Sequence, residues 1–366
     1  MKFVSIIGAR PQFIKAAAVS REISKYTDIQ EVIVHTGQHF DINMSEIFFK
    51  QMQIPEPDYN LGINSLTHGA MTGQMLTKIE EVLIKEKPDW VLVYGDTNST
   101  LAGSLAAKKL LIKTAHIEAG LRSYNMKMPE EVNRILTDRI SDVLFCPSNI
   151  AVENLENKGF KDSNCKVINS GDVMLDSALF YEKISKKPKF AIPDKFILST
   201  IHRAENTDDP QKLKSIFAAL SEISQKTPIV LPLHPRTKKI IEDLKTCPAF
   251  DGFKTWAPGR IENLILVEPV GYLEMIYLLK KCSIVMTDSG GLQKEAYFFK
   301  KPCITLRNET EWVELIEHGF NIVAGIEEKG ILRSYEIIKK RKSNFNVQLF
   351  GDGKASTIII KELLNN

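Results

Sequence analysis

Short runs of aliphatic and β-branched residues alternate with longer stretches of helical periodicity along most of the chain. A first series of runs occupies residues 3–7, 31–34, 90–94, 114–117, 143–145 and 166–168. They read as mostly continuous apolar runs instead of alternating apolar and polar residues, so both faces of such a strand must be covered, which is the condition of a parallel sheet with helices on either side. A second series follows at 196–200, 229–233, 264–267, 284–286, 302–306 and 321–324. The pattern therefore predicts an α/β fold made of two Rossmann-like, doubly wound domains.

A predicted helix at 172–181 leads into a connection rich in lysine and proline at 183–193, and the seam falls there. We place the first domain at 1–175 and the second at 176–350. Residues 351–366 hold a closing helix at 355–364 after Gly351-Asp352-Gly353, which can return to the first domain. A chain of 366 residues exceeds the usual span of one hydrophobic core, which agrees with two domains.

Charge narrows the classes of partner. Forty-eight basic residues against 45 acidic ones give a net charge of +3, scattered along the chain, so no nucleic acid is expected. The cysteines at 146, 165, 247, 282 and 303 are odd in number and contain no Cys-x-x-Cys pair, so they read as reduced thiols, with no metal expected. The opening apolar run reaches Gly8, Arg10 and Pro11 too soon for a signal peptide, and no run approaches the roughly 20 apolar residues of a membrane span. Those readings predict a cytoplasmic protein without membrane insertion.

Candidate chemistry gathers at the ends of predicted strands, where parallel α/β sheets bind ligands. Asp96 lies in Tyr-Gly-Asp-Thr-Asn-Ser, Glu118 in His-Ile-Glu-Ala-Gly-Leu-Arg and Glu130 in Met-Pro-Glu-Glu-Val-Asn-Arg. Each acid has a plainer use. Asp96 can cap a helix starting near Ser99, Glu130 or Glu131 can sit in the first turn after Pro129, and Glu131 can pair with Arg134 three residues on. Three acids in one interval, with Arg122 and Arg134 to balance them, favour a site. His116, just before Glu118, reads as a supporting or core histidine; His35 and His234 also follow predicted strands.

Two loops suit a diphosphate. Gly8-Ala9-Arg10-Pro11-Gln12-Phe13-Ile14-Lys15 follows the first strand and opens a helix, so its amides, Arg10 and Lys15 can meet phosphate oxygens. Thr287 to Glu295 repeats that placement, with Ser289, Gly290 and Gly291 at the helix start and Glu295 offering two acceptors to a ribose diol. His202, beside Arg203, can donate to a phosphate. Neither loop carries the Gly-x-Gly-x-x-Gly or Walker spacing, so no nicotinamide or other cofactor is expected.

Taken together, these segments resemble the non-hydrolysing UDP-N-acetylglucosamine 2-epimerases, and the similarity covers essentially the whole chain. The resemblance implies the two-domain GT-B fold with the active site between the domains, a UDP-sugar substrate and a homodimer. By matching position, Asp96, Glu118 and Glu130 look like the family's catalytic acids and His202 like its active-site histidine. Arg10 and Lys15 resemble its residues near the diphosphate, Ser289, Gly290, Gly291 and Glu295 its UDP-binding set, and Arg307 stands where the family has a basic residue.

Departures bear on the sugar. Ala9 and Gln12 stand in a segment that more usually reads Gly-Thr-Arg-Pro-Glu, and Thr310-Glu311-Trp312-Val313-Glu314 stands where Thr-Glu-Arg-Pro-Glu is common. Both changes resemble a branch acting on UDP-2,3-diacetamido-2,3-dideoxyglucuronate. Leu66, Thr67 and His68 occupy the region where some members carry an activating Arg-Gln pair, which argues against such activation here.

Inverting carbon 2 of such a sugar is hard because no neighbouring carbonyl stabilises loss of its proton. With no nicotinamide motif for transient oxidation, elimination of UDP to a 2-acetamidoglucal and re-addition is favoured. Rival readings are a GT-B glycosyltransferase, a hydrolysing epimerase and a catalytically silent nucleotide-sugar sensor; the last would need none of the acids.

Overall fold

The computed structural model describes residues 1–38, 53–245 and 263–365, excluding the side chains of Arg10 and of residues 242–245. The chain divides into two compact units, one of Met1–Phe180 with Gln348–Asn366 and one of Tyr181–Val347.

The apolar runs of the first unit form β1 (Lys2–Ile7), β2 (Gln30–His35), β4 (Trp90–Tyr94), β5 (Lys113–Ile117), β6 (Val143–Cys146) and β7 (Lys166–Asn169). The strand β3 (Tyr59–Asn60) is too short to leave an apolar run in the sequence. All pair in parallel in the order β3-β2-β1-β4-β5-β6-β7. In register, Ile6 lies beside both Val34 and Val93. The order reverses direction between β1 and β4, so the connections leaving these strands diverge and open a crevice at their carboxyl ends.

Helix Asn98–Lys109 covers that switch point closely because its inner face is small: a Cβ on Gly103 would stand 3.1 Å from Ile6. Ala102 and Ala106 pack there with Val4, Val93 and Ile79 in one buried cluster. The closing helix Ala355–Leu364 buries Ile359, Ile360 and Leu363 and packs on helix Arg10–Ile23. Asp176 caps it, accepting from the amides of Ala355 (3.1 Å) and Ser356 (2.7 Å).

In the second unit β8 (Ile197–Thr200), β9 (Ile229–Pro232), β10 (Leu264–Val267), β11 (Ile284–Thr287), β12 (Cys303–Thr305) and β13 (Asn321–Val323) form a parallel sheet of order β10-β9-β8-β11-β12-β13. Its switch point lies between β8 and β11. The two units are thus Rossmann-like α/β domains of the kind found in GT-B proteins. Among the described residues no helix is long and apolar enough to cross a membrane, and no three His, Cys, Asp or Glu side chains gather as a metal site. Cys146, Cys165, Cys282 and Cys303 are free thiols, while Cys247 lies outside the described residues.

Candidate active site

The loops after β1, β4 and β5 carry the first unit's chemistry. Gly8 follows β1 and helix Arg10–Ile23 begins two residues later, with Pro11 preset for its first turn. Gln12 is buried; its Oε1 accepts from the amides of Gly8 (2.8 Å) and Ala9 (2.9 Å), and its Nε2 donates to the carbonyl of Tyr94 (2.9 Å) and to Thr100 (3.0 Å). One side chain therefore ties the Gly8 loop to the end of β4, and it occupies amides that a diphosphate would otherwise claim. The Arg10 side chain lies outside the described part.

Lys15, on the same helix, reaches Glu118: its Nζ stands 2.5 Å from Glu118 Oε1, with both side chains less than a tenth exposed. It crosses Gly95, where a Cβ would lie 2.9 Å from the ammonium and where φ is +64°, so glycine suits this turn twice over. Glu118 itself has φ +69°, a left-handed backbone that costs a non-glycine residue about 1–3 kcal/mol and that recurs at functional sites.

Asp96 does not cap the following helix; Thr97 does, accepting from the amide of Thr100. The Asp96 carboxylate instead accepts from Arg134 Nη2 at 2.6 Å and keeps 29% of its side chain exposed. Asn133 Nδ2 donates to the Asp96 carbonyl (2.9 Å). Arg134 also binds Glu131 at 2.8 Å, the pairing that their spacing suggested. Burial pushes the Glu131 carboxyl up, but hydrogen bonds from Ser123 and the Arg134 pairing outweigh it and hold the group below its ordinary range. Glu130, its neighbour, is exposed in the first turn of helix Pro129–Ile140, with no hydrogen bond among the described residues.

His116 is fully buried between Asp138 Oδ1, 2.7 Å from its Nδ1, and the Gly95 carbonyl, 2.7 Å from its Nε2. Arg122 Nη2 closes the cluster on Asp138 Oδ2 at 2.6 Å. The Gly95 turn and the Glu118 loop therefore share one buried polar support. His35 packs on the Phe13 ring, and burial lowers its basicity.

In the second unit the loops after β8 and β11 meet at Asp288. This carboxylate is fully buried and accepts from the amides of His202 (3.0 Å) and Arg203 (3.0 Å) and from Asn206 Nδ2 (3.1 Å), while His202 Nδ1 stands 3.2 Å away. His202 remains 37% exposed at its side chain, with its ring centre 5.6 Å from that of His234.

Ser289 caps helix Gly290–Phe298, its Oγ accepting from the amide of Leu292. A Cβ on Gly290 would fall 2.1 Å from Glu311 Oε1, whereas one on Gly291 would meet nothing within 4 Å. Arg307 Nη1 donates to Glu311 at 3.0 Å. Burial raises the Glu311 carboxyl, but Arg307, a backbone amide and Arg203 together outweigh it, and the net shift is downward. Arg203 Nη2 is 4.0 Å from the other Glu311 oxygen. Trp312 Nε1 donates to the Gly290 carbonyl (2.9 Å), and the Lys294 ammonium sits 4.2 Å from the Trp312 ring centre. Glu295 is buried and accepts from the Tyr272 hydroxyl at 2.7 Å.

The motifs named Ser289, Gly290, Gly291 and Glu295 but gave no role to Asp288, Gln12 or Glu311, whose partners lie far along the chain. Asp288 alone had a usable signal, an acid directly after an apolar run and directly before a glycine-rich turn.

The family pattern described as UDP-N-acetylglucosamine 2-epimerase matches residues 21–364. The UDP-2,3-diacetamido-2,3-dideoxy-D-glucuronate 2-epimerase of Pseudomonas aeruginosa is 55% identical over 99% of both chains. The crystal structure of the Methanocaldococcus jannaschii UDP-GlcNAc 2-epimerase in complex with UDP-GlcNAc and UDP superposes with a TM-score of 0.88 at 42% identity, over the whole of both chains. That of the Neisseria meningitidis enzyme bound to UDP-GlcNAc gives 0.84 at 33%, again over the whole of both chains. With its paired acids at the ends of β4 and β5 and its glycine-rich turn after β11, the chain belongs to the UDP-N-acetylglucosamine 2-epimerase family of isomerases.

Proposed function

We propose that this protein is a non-hydrolysing 2-epimerase of a UDP-linked N-acetylhexosamine, working by elimination and re-addition of UDP. The observation that carries the reading is the pair of charge-matched acids at adjacent strand ends, Glu118 on Lys15 and Asp96 on Arg134. A carboxylate placed this way can take the carbon 2 proton while the bond from carbon 1 to UDP breaks, leaving a 2-acetamidoglucal. UDP then returns to carbon 1 as a proton is delivered to the opposite face of carbon 2, so atoms balance and no redox cofactor is needed.

In this reading Asp96, Glu118 and Glu130 share the proton transfers, while Arg10, Lys15, His202, Arg203, Arg307 and the Ser289–Gly291 turn serve UDP, with Glu295 toward its ribose. The site after β11 supports a UDP role through the capped, glycine-started helix. The reading includes a homodimer, as the sequence resemblance implies, and a cytoplasmic location, as the opening segment and the hydropathy pattern suggest.

Two observations favour a diacetamido uronate over UDP-N-acetylglucosamine: the 55% identity to the Pseudomonas enzyme, and Gln12 and Trp312 where other residues are usual. The Methanocaldococcus jannaschii UDP-N-acetylglucosamine 2-epimerase, 43% identical, keeps the simpler sugar as the second reading. The experiment incubates purified protein with each UDP sugar in heavy water, without nicotinamide, and follows proton NMR. We expect deuterium at carbon 2 of an inverted product that remains UDP-linked, faster with the uronate. Free sugar and UDP as sole products would instead mark a hydrolysing enzyme, and no exchange with either sugar would overturn the proposal.

A further inference from the structure

We infer that Asp288 is a positioning residue for His202, forming with it a dyad that presents a charged imidazole edge to the departing diphosphate. This rests on the epimerase reading for its chemistry but on the geometry of the second unit for its existence. Asp288 is fully buried at the end of β11, and His202 stands at the end of the adjacent strand β8. The carboxylate holds both ends of the residue: it accepts from the His202 amide at 3.0 Å and lies 3.2 Å from Nδ1.

Nδ1 is the ring nitrogen on the Asp288 side, 3.2 Å from a carboxylate that can only accept. That orients Nε2 on the opposite edge of a ring whose side chain is 37% exposed, and Nε2 makes no hydrogen bond among the described residues. A neutral ring protonated on Nδ1 offers Nε2 as an acceptor, which repels a phosphate oxygen; a doubly protonated ring offers a charged donor. Asp288 stands behind the ring on the edge away from Nε2, the placement that a buried acid takes behind a histidine in other enzymes. Among the described residues, Arg203, adjacent in the chain, faces Glu311, and His234 stands ring to ring with His202.

The other bonds of Asp288, to the Arg203 amide and to Asn206, could by themselves serve only to hold the loop. A double-mutant cycle separates the two roles. Asp288→Asn is expected to lower kcat ~100-fold while KM stays within about threefold, and His202→Asn to do the same. If Asp288 acts through the ring, adding Asp288→Asn to His202→Asn lowers kcat by less than about threefold more. Losses that multiply, or KM rising in step with the fall in kcat/KM, would overturn the dyad.

Nitrogen-15 NMR of the histidine rings in the wild-type protein with UDP gives a second test, independent of whether the variants fold. Protons on both nitrogens of His202 are expected. A bare Nδ1, or a bare Nε2, would overturn the inference. This arm uses UDP and no sugar, so it decides the dyad even where the wild type turns over neither sugar, an outcome that sinks the epimerase reading alone.

Discussion

Lys15 and Glu118, 103 residues apart, meet at 2.5 Å in a buried ion pair laid across the turn at Gly95. A pair of this kind contributes little compared with a well-packed apolar pair, yet removing one partner strands a charge away from water. Lys15→Met should therefore destabilise the protein by about 3–5 kcal/mol in urea unfolding. The double variant Lys15→Met with Glu118→Gln should recover more than half of that loss; no recovery would mean that the lysine acts through other contacts.

Asp96 keeps its carboxylate partly exposed because Thr97 takes over the capping of the next helix. Asp96→Asn should lower C2 exchange by about 10²–10⁴-fold, the usual reach of a positioned acid or base. Arg134 keeps Glu131 as a partner, so the fold should hold, and UDP affinity measured by calorimetry should change little. Full turnover with sound folding would remove Asp96 from the proton-transfer set.

Gly120 has φ +79°, and a Cβ there would stand 2.3 Å from the Ala151 carbonyl oxygen. The obstacle is backbone and cannot rotate away. Gly120→Ala should cost about 1–3 kcal/mol for the left-handed conformation and a similar amount for the clash, visible as a lowered denaturation midpoint. A neutral result would show that the loop after Glu118 shifts freely.

Burial raises the Glu31 carboxyl from 4.5 to about 6, against the lowering effect of hydrogen bonds from Ser5 and Ser20. The folded state then binds the proton more tightly than the unfolded state, so this group's stabilisation is full below pH 4.5 and lost as pH rises through about 6. The shift corresponds to about 2 kcal/mol. Glu31→Gln, which keeps an acceptor for both serines, should match wild type at pH 4.5 and exceed it by up to about 2 kcal/mol at pH 8 in chemical denaturation. Equal stability at both pH values would refute the assignment.

Much of the architecture was legible because a strand buried on both faces leaves a continuous apolar run. The bounds of the closing helix, Ala355–Leu364, could be read from its periodicity after a glycine turn. Glu131–Arg134 was legible for the same reason: a spacing of three on one helix fixes the pairing. The strand Tyr59–Asn60 escaped notice because two residues carry no period.

The residue pairs that make up the candidate site were another matter. Gln12 reaches Thr100, Asp96 reaches Arg134 and Asp288 reaches His202 across separations of 88, 38 and 86 residues. Each meeting follows from which strands lie side by side at the switch points, a matter settled by packing of whole elements and not by any local preference. Glu130 and Glu131 illustrate the difference: they are adjacent and chemically identical, but one is exposed and the other buried beneath Ser123 and Arg134.

By itself, then, the sequence determined two parallel α/β domains, the strand ends at which polar residues collect, and the chemical types gathered there. Only the tertiary structure decided that Lys15 answers an acid, that Gln12 occupies the amides of the first loop, and that Asp288 stands behind His202. The reason is physical. Periodicity is written within a few residues, whereas the charge that each buried group faces is set by strand order and by desolvation, which act only once the sheet is assembled.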